Sequence, residues 1–390
     1  MILFGIDRLL KLTPSWKSKS IALVTNYAAT TKTLIPSRKA LLDEGFNIVR
    51  LFSPEHGLDI QGDDGARITD GIDELTQLPI VSLYGDKLYP AEDDLSDIDI
   101  VLFDIPDIGC RYYTYLWTLS YLLEACGKYN KKLIVLDRPN PISGDFSLAE
   151  GPMLDVANCS SFIGRWSIPL RHSCTLGELA LYFNQSQQIN APLEVIECQN
   201  WKRTMYKPFW VHQFVPPSPA IRNFECALLY PGMGLLEATN ISEGRGTPTP
   251  FRIIGAPWMK GRDLAAIFNQ MALGEIVAKG ILFTPFLNKY SNERCHGIEF
   301  SVKHTLSFQS VSNGLLVIKL IKDTYPQFFQ WKSYPTLVNP TGKFHLDRLL
   351  GYPDSESLFE LDFQDFIATI TKITQVKDWA KVMDPFLLYR

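Results

Sequence analysis

A chain of 390 residues, 46% hydrophobic and 21% charged, has ordinary globular composition and length enough for two cores, which excludes a disordered or fibrous protein. The formal net charge of -4 gives no basic footprint for nucleic acid, so no nucleic-acid partner is expected. Seven singly scattered cysteines without a CxxC pair indicate neither a disulfide framework nor a zinc site and fit a reducing compartment; no run reaches the roughly 18 uninterrupted apolar residues of a membrane helix.

At the start, Asp7, Arg8 and Lys11 interrupt the place where a signal peptide carries its apolar core, so a cytoplasmic location is expected. From residue 20 one theme repeats: a short β-rich apolar run ending in residues capable of chemistry. The runs are Ile21–Asn26, Phe46–Phe52, Pro79–Gly85, residues 98–104 and Lys132–Asp137. Residues 35–44, stopped by Gly45, and residues 113–129, stopped by Gly127, read as helical crossovers. Strands alternating with helices predict an α/β fold with a Rossmann-like, doubly wound, mostly parallel sheet.

In each unit the unusual residues follow the strand. Asn26, Glu55, His56, Asp107, Arg111, Arg138 and Asn140 should therefore converge at the carboxyl edge of the sheet, where open α/β sheets bind ligands. Glu55 and His56, between Pro54 and Gly57, offer titratable groups directly off a buried strand and suit acid/base work. Of Tyr112, Tyr113 and Tyr115, one should face the cleft, with Tyr113 the candidate. No GxGxxG, HExxH or GxSxG motif is present, so no nucleotide cofactor and no metal is expected, and an α/β-hydrolase is disfavoured.

Further on, Ile168–His172 suggests a strand, with His172 a possible ligand contact, and Thr175–Glu178 reads as a capping box. The glycine-punctuated segment 237–247 crowds Glu237, Asn240, Glu243 and Arg245 where the backbone can approach a ligand, with Glu243 as the second carboxylate. Beyond residue 250 the rhythm is lost. The expected organisation is a catalytic domain over 1–250 and a smaller α+β domain over 251–390, closing in an amphipathic helix over about 359–383.

Several motifs in one order carry a resemblance: Phe52-Ser-Pro-Glu-His-Gly57, Arg111-Tyr-Tyr-Thr-Tyr115, Asp137-Arg-Pro-Asn-Pro141, Thr175-Leu-Gly-Glu178 and Asn240-Ile-Ser-Glu-Gly-Arg-Gly-Thr247. Together they resemble the exo-β-N-acetylmuramidase family called NamZ. The resemblance implies a glycoside hydrolase that removes N-acetylmuramic acid from the non-reducing end of peptidoglycan fragments, in a cleft between a Rossmann-like domain and a smaller one. It carries Glu55 over as the leading catalytic residue, and leaves Arg111, Arg138 and Arg245 as competitors for the lactyl carboxylate. Where the family usually has Pro-Ser-Pro-Asn-Met-Pro, this chain has Pro217-Ser-Pro-Ala-Ile-Arg222, so Ala220 replaces an asparagine. A non-catalytic sugar-binding protein of the same fold is the alternative reading.

Overall fold

The computed structural model describes residues 1–63, 65–271 and 275–390. The five apolar runs become β1 (Ile21–Thr25), β2 (Ile48–Ser53), β4 (Pro79–Ser82), β5 (Ile100–Asp104) and β6 (Lys132–Leu136), and a two-residue strand that no run announced, β3 (Gly71–Ile72), lies between β2 and β4 in the chain. A small pair follows, β7 (Glu150–Met153) and β8 (Pro169–Arg171), and then β9 (Leu193–Ile196). The main sheet has the order β3-β4-β2-β1-β5-β6-β9. Every neighbour in it is parallel except β3 against β4.

The unbroken apolar character of the central strands has a direct cause. Ala22 and Val24 of β1, with Val101 and Phe103 of β5, enter the core on one face of the sheet. Ile21, Leu23, Ile100 and Leu102 enter a second core on the other face. A strand covered on both faces has no polar side to alternate with. Strand order also reverses direction at β1, because β2 lies on one side of it and β5 on the other. The carboxyl ends of these strands therefore open a crevice at the sheet edge.

Helix boundaries follow local chemistry. The helix Ser37–Asp43 ends just before Gly45, which takes φ +81°. The helix Tyr115–Lys128 does not stop at Gly127, as the sequence suggests; Gly127 lies inside it, where a Cβ would come 3.0 Å from the Ile189 carbonyl oxygen. Close packing, not a stop signal, accounts for that glycine. The helix Leu176–Ser186 opens as expected: Thr175 Oγ1 accepts from the Glu178 amide at 3.2 Å, and the Thr175 amide donates to Glu178 Oε2 at 3.0 Å.

In the second half, β10 (Ile253–Ala256), β11 (Ile276–Phe283) and β12 (Cys295–Val302) form an antiparallel sheet in the order β10-β12-β11. The helix Ser310–Thr324 crosses the helix Phe224–Met233 at two glycines, where a Cβ on Gly314 would lie 2.3 Å from the Gly232 carbonyl oxygen. The single terminal helix expected over 359–383 is instead two, Phe363–Thr374 and Trp379–Met383. The break lets Trp379 turn inward, buried, with its Nε1 donating to the His172 carbonyl at 2.9 Å. One apolar core runs from Ala22 to Met383 through both halves. No described helix is long and apolar enough to cross a membrane.

Candidate active site

The loop after β2 builds one wall of a cleft. His56 takes φ +67° and Gly57 φ +78°, so the chain doubles back as soon as it leaves the strand. A left-handed histidine costs on the order of 1 kcal/mol and is held by its surroundings. Here His56 Nδ1 lies 2.8 Å from the Gly62 carbonyl oxygen, and the Gly62 amide donates to the His56 carbonyl at 3.0 Å. The turn presents Glu55, 6% exposed, to a cleft that Tyr113, Tyr230, Glu237 and Arg245 also line. Glu55 Oε1 accepts from the Gly65 amide at 2.9 Å and Oε2 from Thr114 Oγ1 at 2.6 Å. A carboxyl held by both oxygens keeps one orientation.

A second carboxylate lines the cleft from the other half of the chain. Glu237, on the turn Gly234–Ala238, accepts from Arg245 Nη2 at 2.7 Å, and its other oxygen lies 3.6 Å from His345 Nε2. Arg245 Nε is 3.3 Å from Glu243 Oε1, and Glu243 Oε2 accepts from Lys289 Nζ at 3.0 Å. Lys289 also donates to the carbonyls of Leu236 and Ile241, at 2.9 and 3.1 Å. Alternating charges thus run from Lys289 through Glu243 and Arg245 to Glu237, with His345 at the far end, fixing the cleft wall from behind.

Aromatic groups complete it. Tyr113 packs edge-on against Tyr230, with ring centroids 6.1 Å apart, and the Tyr112 hydroxyl donates to the Tyr230 carbonyl at 2.6 Å. Burial raises all three phenols well above their ordinary pKa, so they stay neutral donors. Tyr334 stacks on His345 at 4.7 Å, and Ala220 lies in the lining.

Of the residues singled out from sequence, the cleft lining contains Glu55, His56, Tyr113, Glu237 and Arg245, and Tyr112 joins Tyr113 there, so two of the three tyrosines line the cleft where one was expected. The expected convergence of the others in the same cleft does not occur. Arg111 is fully buried and donates to four carbonyls: Pro152, Ile168, Leu349 and Leu350, at 2.7–3.1 Å. Burial lowers its pKa to about 10. It joins the first half of the chain to the helix His345–Leu350. Arg138 makes a two-pronged pair with Asp104 at 2.6 and 2.9 Å, and with Asp107 it lines a separate hollow.

His172 is wholly buried, with Nε2 3.3 Å from Asp107 Oδ2 and Nδ1 accepting from the Cys174 amide. Asn140 bridges the Cys174 carbonyl and the Ile142 amide, Asn26 caps the Ala28 amide, and Asn240 pairs with the backbone of Phe328 and Gln330. Glu243 is 1% exposed and stands behind Arg245, outside the lining. Glu150 caps a helix: it accepts from the Val311 and Ser312 amides at 3.2 and 3.1 Å.

Tyr230, Tyr334 and His345 lacked any sequence signal, since none follows a strand of the main sheet; Thr114 lies in the run Arg111–Tyr115 beyond β5, whose arginine and tyrosines stand out while the threonine does not. Glu237 had one, the crowded segment it opens. Among the described residues no group of three or more His, Cys, Asp or Glu is placed to hold a metal ion.

Two family models cover the chain: Exo-beta-N-acetylmuramidase NamZ, N-terminal, over residues 21–225, and its C-terminal counterpart over residues 228–389. The chain is 40% identical over 349 residues to the peptidoglycan beta-N-acetylmuramidase NamZ of Bacillus subtilis (strain 168), spanning 89% of this chain and 81% of that protein. Two solved DUF1343 family proteins from Bacteroides fragilis NCTC 9343 superpose with TM-scores of 0.87 and 0.74, each 28% identical and covering 100% of this chain and 99% of its own.

Proposed function

Because the chain belongs to the NamZ family of exo-β-N-acetylmuramidases, we propose that it hydrolyses peptidoglycan fragments with Glu55 as the acid that protonates the departing glycosidic oxygen. It is a glycoside hydrolase that releases N-acetylmuramic acid from the non-reducing end of such fragments. The observation that carries the residue assignment is that Glu55 and Glu237 line one cleft from opposite halves of the chain. Glycosidases act through two carboxyl groups flanking the scissile bond. Glu237 is then the partner of Glu55, and Glu243 serves it indirectly by holding Arg245.

Arg245 is the group for the lactyl carboxylate. Of the three candidate arginines it alone lines the cleft, and guanidinium forks suit carboxylates. Neutral Tyr113 and Tyr230 supply aromatic faces for the pyranose. Seven cysteines, all buried and free, support action in a reducing cytoplasm, on cell-wall fragments being recycled.

The test is incubation with a peptide-free muramyl-glucosaminyl disaccharide, followed by mass analysis. Release of free N-acetylmuramic acid and N-acetylglucosamine is expected. Binding without cleavage, or cleavage of amide bonds in peptide-bearing fragments alone, contradicts the assignment.

A further inference from the structure

The catalytic loop has a second face. Ser53, His56, Gly57, Leu58 and Gln61 also line an open groove of about 1450 Å³ beside the cleft, closed on its far side by the loop that carries Asp73. His56 is common to the cleft and the groove, so the groove begins next to Glu55.

Two buried polar groups line this groove with hydrogen-bonding capacity unspent. Arg38, 7% exposed, gives Nε to Asp73 Oδ2 at 2.8 Å, while its Nη1 has no hydrogen-bond partner among the described residues. Ser53, fully buried at the end of β2, has a hydroxyl without one as well. Buried polar groups are rarely left unpaired, so these two mark a place built for a polar ligand. On the rim Tyr27 is 54% exposed and offers an aromatic face.

Resting on the muramidase reading above, we infer that this groove is the acceptor-side subsite, which holds the part of the glycan that leaves. The ligand is an oligosaccharide of β-linked N-acetylated amino sugars. Its acetamido and ring oxygens accept from Arg38 and Ser53, its hydroxyls donate to Asp59, and a pyranose face rests on Tyr27. An exo-acting enzyme encloses one terminal sugar, and the remaining chain must exit past the acid. The groove shares His56 with the cleft, so a glycan leaving on that side of Glu55 enters it, and binding energy gained there is available to the reacting bond.

The experiment compares peptide-free substrates of two and four sugars, both beginning in N-acetylmuramic acid, by kcat/KM. The wild type is expected to prefer the tetrasaccharide by about tenfold or more, and Tyr27→Ala and Gln61→Ala each to erase most of that preference. Both side chains are surface-accessible, so the variants fold. Equal kcat/KM for the two lengths in the wild type, or a preference that survives both variants, overturns the subsite while leaving the muramidase reading intact. Failure of the wild type to cleave either length overturns both.

Discussion

Arg111 and Arg245 are the same residue type, each beside tyrosines or glycines, and they do different work. Arg111 spends its donors on four carbonyls, while Arg245 lines the cleft between two carboxylates. Arg111→Met should therefore lower unfolding stability by about 3 kcal/mol or more, since several charge-assisted bonds in a buried setting are lost together. KM of the protein that still folds should change little; a raised KM at unchanged stability, in denaturant titration beside steady-state kinetics, would contradict this placement. Arg245→Ala should do the reverse, raising KM for muramyl substrates by about tenfold to a hundredfold, about 1.4–2.8 kcal/mol, against a lactyl-free glucosaminide control. Equal losses on both substrates would sink the lactyl assignment. Nothing in the sequence separated these two arginines, because carbonyls leave no residue signature and any backbone can satisfy a guanidinium.

Among elements, the strands were legible because burial on both faces of the sheet leaves unbroken apolar runs such as Val101–Phe103. Glycines were less so. Gly45 ends a helix, but Gly127 sits inside one to admit Ile189, and the same letter serves both purposes. The crossing of Phe224–Met233 and Ser310–Thr324 depends on such admission. Gly314→Val should cost about 1–3 kcal/mol by overpacking against Gly232, read as a lower denaturation midpoint; no change would mean that the helices can separate freely. The capping box at Leu176–Ser186 gives a pH signature. Burial pushes the Glu178 carboxyl up to about 7, against the pull of Arg203. A carboxyl raised in the folded state contributes stability below its unfolded value near 4.5 and loses it as pH rises through about 7. Between about pH 5 and about pH 8 the wild type should lose Tm relative to Glu178→Gln, and parallel curves would refute the assignment.

For the molecule as a whole, the site is shared between halves. The first supplies Glu55 from a sheet edge that the sequence reveals; the second supplies Glu237, Arg245 and His345 from turns without periodicity, which it does not. Arg111 and the common core hold the two in register. Lys289, outside the cleft lining but bonded to the backbone of the turn that carries Glu237, anchors the second wall through Glu243, so Lys289→Met should lower kcat more than it alters KM and shift the pH profile of kcat, without abolishing folding. The central claim is that Glu55 donates the proton to the leaving oxygen. It is tested most directly by comparing the wild type with Glu55→Gln on two β-muramides, one with a sugar leaving group and one with a dinitrophenolate. General acid catalysis is worth about 10²–10⁴, and only a poor leaving group needs it. The account predicts a loss of that order on the disaccharide and a far smaller loss on the dinitrophenyl substrate; equal losses on both, or full activity on the disaccharide, would contradict it.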